Sequence, residues 1–162
     1  MSVEDDIACL EAVATLRLLG RDALRMLAIG CESRELDGGE VLFRAGDLAD
    51  CGYVIQDGSF QLEPASGARS GNRALPVTIA GAGMLLGELA LIIEIRRPVT
   101  AIAVEPATVM RISRSLFRKT LEGFPDAAER LRDYFAERAR DTAEEISHVR
   151  RALDQGPNHE IE

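Results

Sequence analysis

The sequence predicts a mainly β fold with flanking helices: an antiparallel jelly roll with N-terminal helices and a long C-terminal helix. Between about residues 36 and 112, short apolar runs alternate with turns that contain Gly and Asp. Short strands with regular turns are typical of an antiparallel sandwich or barrel rather than a parallel βαβ sheet. On both sides of this region, apolar residues recur at the helical period. We therefore expect one domain over residues 1–153 and a disordered tail at 154–162.

The first 30 residues predict two helices. Apolar residues at helical spacing mark residues 5–19 as the first helix. Asp5 or Asp6 is suited to cap it and to place negative charge at its start. The second helix is expected to begin with Asp22 as its cap and to end at Gly30.

Turn signals divide the central region into strands. The Asp57-Gly58 dipeptide lies between two apolar runs, which predicts a β-hairpin. A second hairpin is predicted across Glu105-Pro106. Residues 63–76 are rich in Gly, Ser, Pro and Ala, and we expect them to form an exposed loop.

The C-terminal part, from about residue 113 to residue 153, predicts two helices. Ser113 or Ser115 can cap the first of them, which Gly123 ends. Pro125 suits the first turn of the last helix, which is expected to run to about Leu153.

The last helix carries a stripe of apolar or small residues whose spacing approximates a heptad seam. The stripe has two interpretations, packing on its own domain or forming a homodimer. Homodimerisation through this helix is favoured, because the stripe is longer than a small barrel can cover. The stripe consists of Leu131, Phe135, Thr142, Ile146, Val149 and Leu153.

Composition and charge exclude several classes of function. The net charge of −8 argues against nucleic acid as the main partner, because binding a duplex requires a basic face. The longest apolar runs are far too short to cross a bilayer, so no membrane association is expected. The acidic N-terminus lacks the basic start of a secretory signal, and the expected location is the cytoplasm.

Neither a metal site nor a catalytic centre is predicted. The three cysteines are widely spaced without a CxxC pair, which favours small buried side chains over disulfides or metal ligands. The two histidines, His148 and His159, lie in the last helix and the tail, away from the β region. Ser113 and Ser115 are better explained as helix caps than as nucleophiles. The protein is therefore expected not to be an enzyme and to need no cofactor.

The most informative stretch is residues 83–104, where Glu88 and Arg97 stand nine residues apart around a potential helix N-terminus. A helix N-terminus presents unpaired N–H groups and positive potential to an anion. A guanidinium matches phosphate oxygens in a bidentate fork. Gly87 lets the backbone approach a ligand closely. This stretch is suited to bind an anion that also carries a hydroxyl.

Four segments in this order resemble the cyclic nucleotide-binding domain family, over about residues 5–153. The family includes the bacterial catabolite activator protein and the regulatory subunits of cyclic AMP-dependent kinase. Each segment alone is weak, and the order makes the resemblance specific. The segments are GEVLFRAGD at 39–47, YVIQDGSFQL at 53–62, GMLLGELAL at 83–91 and RRPVTAIA at 96–103.

The resemblance implies a phosphate-binding cassette in which Glu88 accepts a hydrogen bond from the ribose 2′-hydroxyl and Arg97 pairs with the cyclic phosphate. Backbone N–H groups of a short helix that begins near Leu89 would complete the anion site. Tyr134 and Arg138 could close over the base, although core packing and surface solvation explain these two residues equally well. The implied ligand-binding residues are Gly87, Glu88, Leu89, Ala90, Arg97, Pro98 and Val99.

The sequence departs from the family pattern at Pro98, which replaces a residue that donates a backbone N–H to the phosphate and has no N–H itself. Glu94 also adds a negative charge near the phosphate position. Cyclic GMP-selective relatives often place a threonine directly after the arginine, so its absence here favours cyclic AMP. Thr100 lies close enough to leave cyclic GMP possible.

The leading hypothesis is a stand-alone cyclic AMP sensor that relays ligand binding through its C-terminal helices to an unknown protein effector. The alternative is a degenerate domain that acts as an interaction or scaffold module without nucleotide, which Pro98 and Glu94 motivate. Direct DNA binding is not expected, because only about nine residues follow Leu153, too few for a helix-turn-helix.

Overall fold

The computed structural model describes the backbone of residues 2–154 and the side-chain environments of residues 2–69 and 71–140. Over this part of the chain there are five α-helices and one short 3₁₀ helix at Glu88–Leu91. The predicted tail after Asp154 lies outside the described residues. The α-helices are α1 Val3–Glu11, α2 Ala14–Arg17, α3 Arg21–Gly30, α4 Arg114–Gly123 and α5 Pro125–Asp154.

The strands form two four-stranded antiparallel sheets, ordered β1-β12-β4-β9 and β2-β11-β5-β8, and two shorter ladders, β10-β3 and β6-β7. This architecture confirms the predicted antiparallel jelly roll with flanking helices. The strands are β1 Glu32–Leu36, β2 Val41–Phe43, β3 Leu48–Ala49, β4 Cys51–Asp57, β5 Ser59–Pro64, β6 Arg69–Ser70, β7 Arg73–Ala74, β8 Thr78–Gly81, β9 Leu85–Leu86, β10 Ile95–Arg96, β11 Val99–Ala103 and β12 Ala107–Ser113.

Two apolar cores hold the fold together. One fills the roll and includes Phe43, Ile55 and Phe60. The other lies against the β1-β12-β4-β9 sheet, where side chains such as Leu16 of α2 and Leu91 of the 3₁₀ helix belong to one buried cluster. The N-terminal helices and the 3₁₀ helix therefore share a single packed core.

The two predicted hairpins are wrong, because the strands on either side of each turn belong to different sheets. Strand β4 pairs with β12 and β9, whereas β5 pairs with β11 and β8. Gly58 has a φ of +87°, and a Cβ there would lie 2.7 Å from the Pro106 carbonyl oxygen. The two turns thus pack against each other where the chain crosses between sheets. The dipeptides marked tight turns correctly, but a turn does not determine the sheet that the next strand joins.

The N-terminal helices begin differently from the prediction. Ser2, not Asp5 or Asp6, caps α1: its Oγ accepts from the Asp5 N–H at 3.2 Å, and Asp5 Oδ2 accepts from the Ser2 N–H at 3.1 Å. The single helix predicted over residues 5–19 is two helices, because Val13 is extended, with φ −83° and ψ 120°. The N-cap of α3 is Gly20, whereas the predicted cap, Asp22, lies in the first turn of the helix.

The C-terminal helices follow the prediction more closely. Ser113 caps α4 by accepting a hydrogen bond from the Leu116 N–H at 3.1 Å. Pro125 is the first residue of α5. The segment 63–76, predicted as a loop, contains the small exposed hairpin β6-β7.

The first part of the α5 stripe packs on its own domain. Leu131 is buried and Phe135 packs against the helical core. Arg130 ties α5 to the N-terminal helices by donating from Nε to the Leu18 carbonyl at 2.7 Å. The side chains of Thr142, Ile146, Val149 and Leu153 lie outside the described residues, so homodimerisation through this helix stays a prediction.

The described part of the chain shows neither a membrane-spanning helix nor a metal-binding cluster. No helix in residues 2–154 combines the length and apolar character needed to cross a bilayer. Among the described side chains, no three His, Cys, Asp or Glu residues lie close enough to hold a metal ion. Cys9, Cys31 and Cys51 are free thiols. Burial raises the pKa of Cys31 to about 11, so this thiol stays protonated at neutral pH.

Candidate functional site

Gly87 forms the turn between β9 and the 3₁₀ helix. Its φ of +83° and ψ of 39° lie in the left-handed region, where a side chain is strained. A Cβ at this position would also overlap Nη1 of Arg97. Glycine is therefore required here both for backbone conformation and for the close approach of the arginine.

The Arg97 guanidinium lies directly beneath this turn, and the residue is only 5% exposed. Nη2 donates to the Cys51 carbonyl oxygen at 2.8 Å. The guanidinium carbon lies 4.3 Å from the centroid of the Phe43 ring and 5.6 Å from that of Tyr53, which are cation–π distances. Nη1 is buried and has no hydrogen-bond partner among the residues that the structure describes. The guanidinium is thus held through Nη2, while Nη1 can still donate a hydrogen bond.

The buried charge of Arg97 has no carboxylate partner among the described residues. Within the described residues, no carboxylate lies within 4.0 Å of the Arg97 guanidinium. Burial raises the pKa of Tyr53 above its ordinary value, so the neighbouring phenol is uncharged at neutral pH. An unpaired buried charge is costly. The arrangement suits an anion that would satisfy Nη1.

The backbone of Arg97 is fixed by the turn at Gly46-Asp47. The Arg97 N–H donates to the Asp47 carbonyl at 2.8 Å, and the Gly46 N–H donates to the Arg97 carbonyl at 2.8 Å. The neighbouring residue Arg96 is exposed and donates from Nη1 to the Gly46 carbonyl at 2.9 Å. Arg96 therefore stabilises this turn, while Arg97 turns inward.

Glu88 is the first residue of the 3₁₀ helix, and its carboxylate is held from two sides. Oε2 accepts a hydrogen bond from Oγ1 of Thr15 at 3.1 Å. Oε1 accepts from Nη1 of Arg138 on α5 at 3.3 Å, forming an ion pair. These two contacts bring an N-terminal helix and the last helix to the same carboxylate.

An open cleft of about 640 Å³ lies between the 3₁₀ helix and α5. Its walls include Glu88, Leu89, Phe135 and Arg138. This volume is in the range of sites that bind small molecules. The Tyr134 hydroxyl accepts from Nη1 of Arg138 at 3.4 Å, so both α5 residues considered for closing over a base lie near the cleft.

The structure brings the predicted residues Gly87, Glu88 and Arg97 together around one turn, and it distributes the others about them. Leu89 is 52% exposed at the cleft. Ala90 is buried, and its carbonyl accepts from Nε of Arg114 at 2.8 Å.

The remaining predicted residues follow Arg97. Pro98 is exposed between β10 and β11. Val99 begins β11 and pairs with Pro64 of β5. These two residues therefore lead from Arg97 into the β2-β11-β5-β8 sheet and do not line the cleft.

Sequence reasoning missed Thr15 and the role of Cys51. Thr15 contacts Glu88 across 73 residues, and no local pattern in the sequence links the two. Cys51 was predicted only as a small buried side chain, whereas its carbonyl and Sγ both accept from Nη2 of Arg97. A carbonyl can belong to any residue type, so the sequence holds no signal for this contact.

The fold and this cassette define the class of the protein: a small antiparallel β-roll domain with a short helix between two strands and a buried arginine beneath it. The family model for the cyclic nucleotide-binding domain matches residues 33–123, more than half of the chain. The chain therefore belongs to the cyclic nucleotide-binding domain family, which confirms the resemblance drawn from the sequence.

Relatives and solved structures agree with this membership. The cAMP-dependent protein kinase regulatory subunit of Yarrowia lipolytica is 28% identical over 103 residues, which is 64% of this chain and 25% of that protein. A cyclic nucleotide-binding-like protein from Brucella abortus is 39% identical, with a TM-score of 0.61, covering 73% of this chain and 98% of that one. The regulatory domain of Toxoplasma gondii PKA, solved with cAMP, is 23% identical, with a TM-score of 0.66, covering 86% of this chain and 50% of that one. The chain spans between 7% and 29% of the length of the curated relatives it matches.

Proposed function

We propose that this cyclic nucleotide-binding domain is a non-catalytic sensor that binds cyclic AMP at the cassette formed by Gly87, Glu88 and Arg97. The observation that carries the proposal is the buried Nη1 of Arg97 beside the Gly87 turn, which has no partner in the described part of the chain. A singly charged cyclic phosphate would supply the missing acceptor and the missing negative charge. Only binding is assigned to this site.

The proposed roles follow from hydrogen-bonding chemistry. The cyclic phosphate accepts from Arg97, and N–H groups at the start of the 3₁₀ helix add further donors. The ribose 2′-hydroxyl donates to Glu88, whose carboxylate oxygens each have a second lone pair beyond their bonds to Thr15 and Arg138. The purine would occupy the cleft beside Leu89 and Phe135.

Burial of Arg97 supports a coupling between ligand binding and movement. Since Arg97 is 5% exposed and its Nη1 is buried, a phosphate can reach Nη1 only if the cassette shifts. Helix α4 is tied to the cassette by Arg114, which donates to the Ala90 carbonyl, and by Arg118, which donates to the Ile92 carbonyl at 3.3 Å. A ligand that prefers the shifted cassette would therefore move α4 as well.

The preference for cyclic AMP over cyclic GMP has two supports. The Yarrowia lipolytica relative is a cAMP-dependent kinase subunit, and the Toxoplasma gondii structure contains cAMP. The hydroxyl of Thr100, which left cyclic GMP open, accepts from the Ala45 N–H at 2.9 Å and so has a structural use in the adjacent turn.

Titration calorimetry with cyclic AMP tests the proposal, with Arg97→Ala as the variant. A charge-assisted hydrogen bond contributes about 1.5–3 kcal/mol, so we expect affinity to fall by about tenfold to a hundredfold or more. Arg34→Ala is the matched control, since it removes an exposed arginine of the edge strand β1, and it should bind as the wild type does. No heat of binding by wild type at millimolar cyclic AMP would overturn the proposal.

A scaffold module without nucleotide is the second candidate, and the exposed Pro98 favours it. Proline has no N–H to donate to a phosphate. Partner binding that is indifferent to Arg97→Ala, together with wild type that binds no nucleotide, would support this candidate. Homodimerisation, cytoplasmic location, a protein effector and the lack of DNA binding stay predictions from the sequence.

A further inference from the structure

Thr15 is a buried hydroxyl that the family resemblance does not assign to the cassette. It lies on the four-residue helix α2 and is 5% exposed. Its Oγ1 is 3.1 Å from Oε2 of Glu88. A carboxylate only accepts hydrogen bonds, so the hydroxyl is the donor.

The two helices that carry Thr15 and Glu88 pack into the same apolar core. Leu16, next to Thr15, and Leu91, at the end of the 3₁₀ helix, are 0% and 2% exposed and belong to one apolar cluster. A threonine also has few χ1 states, because its β-carbon is branched. The Thr15 hydroxyl is therefore a donor at a fixed position relative to Glu88.

The other partner of Glu88 is less constrained. The Arg138 side chain, which reaches Oε1, is 57% exposed on α5. An exposed ion pair restrains a carboxylate weakly. Of the two contacts, the one from the buried Thr15 is the one that can fix the orientation of the carboxylate before a ligand arrives.

We propose that Thr15 is a positioning residue that orients the Glu88 carboxylate for the ribose 2′-hydroxyl and so sets the selectivity of the cassette for ligands that carry this hydroxyl. The proposal rests on the proposed function. Thr15 donates to one lone pair of Oε2 and leaves the second lone pair of that oxygen available, so it orients Glu88 without competing for the ligand. Pre-orientation matters only for a ligand that uses Glu88.

The test compares cyclic AMP with 2′-deoxy cyclic AMP by titration calorimetry on wild type and Thr15→Val, which keeps the side-chain shape and removes the donor. We expect Thr15→Val to weaken cyclic AMP about three- to tenfold. Binding of the 2′-deoxy ligand should change by less than about twofold, since it has no hydroxyl for Glu88 to accept from. Thr15→Ser should restore cyclic AMP binding.

Thr120→Val is the matched control, because Thr120 is equally buried but donates to the Leu116 carbonyl within α4. It should leave the ratio of the two affinities unchanged. If Thr15→Val does not fold, Thr15→Ala serves for the same comparison. Equal losses for both ligands, or no loss for either, would show that Thr15 supports only the fold. A wild-type chain that binds neither ligand would instead contradict the proposed function.

A double-mutant cycle gives a second readout. In a Glu88→Ala background there is no carboxylate for Thr15 to orient, so adding Thr15→Val should change cyclic AMP affinity by less than about twofold. Independent, additive losses from the two substitutions would contradict the proposal.

Discussion

At the scale of single residues, the cassette is defined by one buried charge and one glycine. Arg97 lies over the Phe43 ring and donates a hydrogen bond to the Cys51 carbonyl, and its Nη1 has no partner within the described residues. Gly87 provides the space for that nitrogen. Such an arrangement costs stability when no anion is present. A ligand that supplies the anion recovers this cost, which is how the site would favour the bound state.

Gly87→Ala should therefore affect binding as well as stability. The left-handed backbone strains alanine by about 1–2 kcal/mol, and the new Cβ would displace Nη1 of Arg97. We expect the affinity for cyclic AMP to fall more than about tenfold, measured by calorimetry.

Gly39→Ala separates the effect of backbone strain from the effect of displacing the Arg97 side chain. Gly39 has a similar φ of +90°, but a Cβ there meets nothing within 4 Å. In the Gly39→Ala variant, the midpoint of thermal unfolding should fall while the affinity for cyclic AMP stays unchanged. If Gly87→Ala and Gly39→Ala bind equally well, the close approach of Gly87 to Arg97 is irrelevant to the ligand.

The residues of the cassette differ in how far the sequence could predict them. Gly87, Glu88 and Arg97 are close in sequence and have distinctive chemistry, so their grouping was predictable. Thr15 was not, because 73 residues separate it from Glu88 and its position depends on how α2 packs. The position of Pro98, exposed and outside the cleft, also depends on the turn that connects the two strands around it.

At the scale of elements, Arg114 connects the cassette to the helices that follow it. Its Nε donates to the Ala90 carbonyl at 2.8 Å, and its Nη2 donates to the Ala49 carbonyl of β3. The side chain thus bridges the 3₁₀ helix and a strand from the first residue of α4. We expect a shift of the 3₁₀ helix to reach α4 through this contact and through the hydrogen bond from Arg118 to the Ile92 carbonyl.

Arg114→Met should weaken the proposed transmission of ligand binding to α4 more than it weakens the affinity for cyclic AMP. Removing two hydrogen bonds should lower the free energy of unfolding by about 1–3 kcal/mol. Hydrogen exchange should show that cyclic AMP protects the α4 amides in wild type and protects them less in the variant, with affinity reduced by less than about threefold.

Lys119→Met is the control for this experiment, because Lys119 is an exposed residue of the same helix. It should preserve ligand-induced protection of α4. Protection that persists in Arg114→Met would mean that the coupling runs through other contacts.

The elements also show where turn chemistry stops being informative. Asp57-Gly58 marked a turn correctly, yet the strands on either side join different sheets. Gly58 packs against Pro106 where the chain crosses between the sheets, and this contact joins positions far apart in the chain. Ser2 was missed as a cap because the apolar period begins several residues after the helix does.

At the scale of the whole molecule, three regions converge on Glu88 and Arg97. Thr15 of the N-terminal helices and Arg138 of α5 contact Glu88. In the β-roll, the ring of Phe43 contacts Arg97. The fold class and the family followed from the order of landmarks along the chain. The convergence itself did not, because it depends on tertiary packing.

A crystal structure of the wild-type protein with cyclic AMP, at a concentration that saturates binding in solution, tests the central claim most directly. We predict density for the nucleotide at the cassette, with the cyclic phosphate within hydrogen-bond distance of Arg97 Nη1 and the ribose 2′-hydroxyl on Glu88. Nucleotide bound elsewhere on the protein, or an empty cassette under these conditions, would contradict the account.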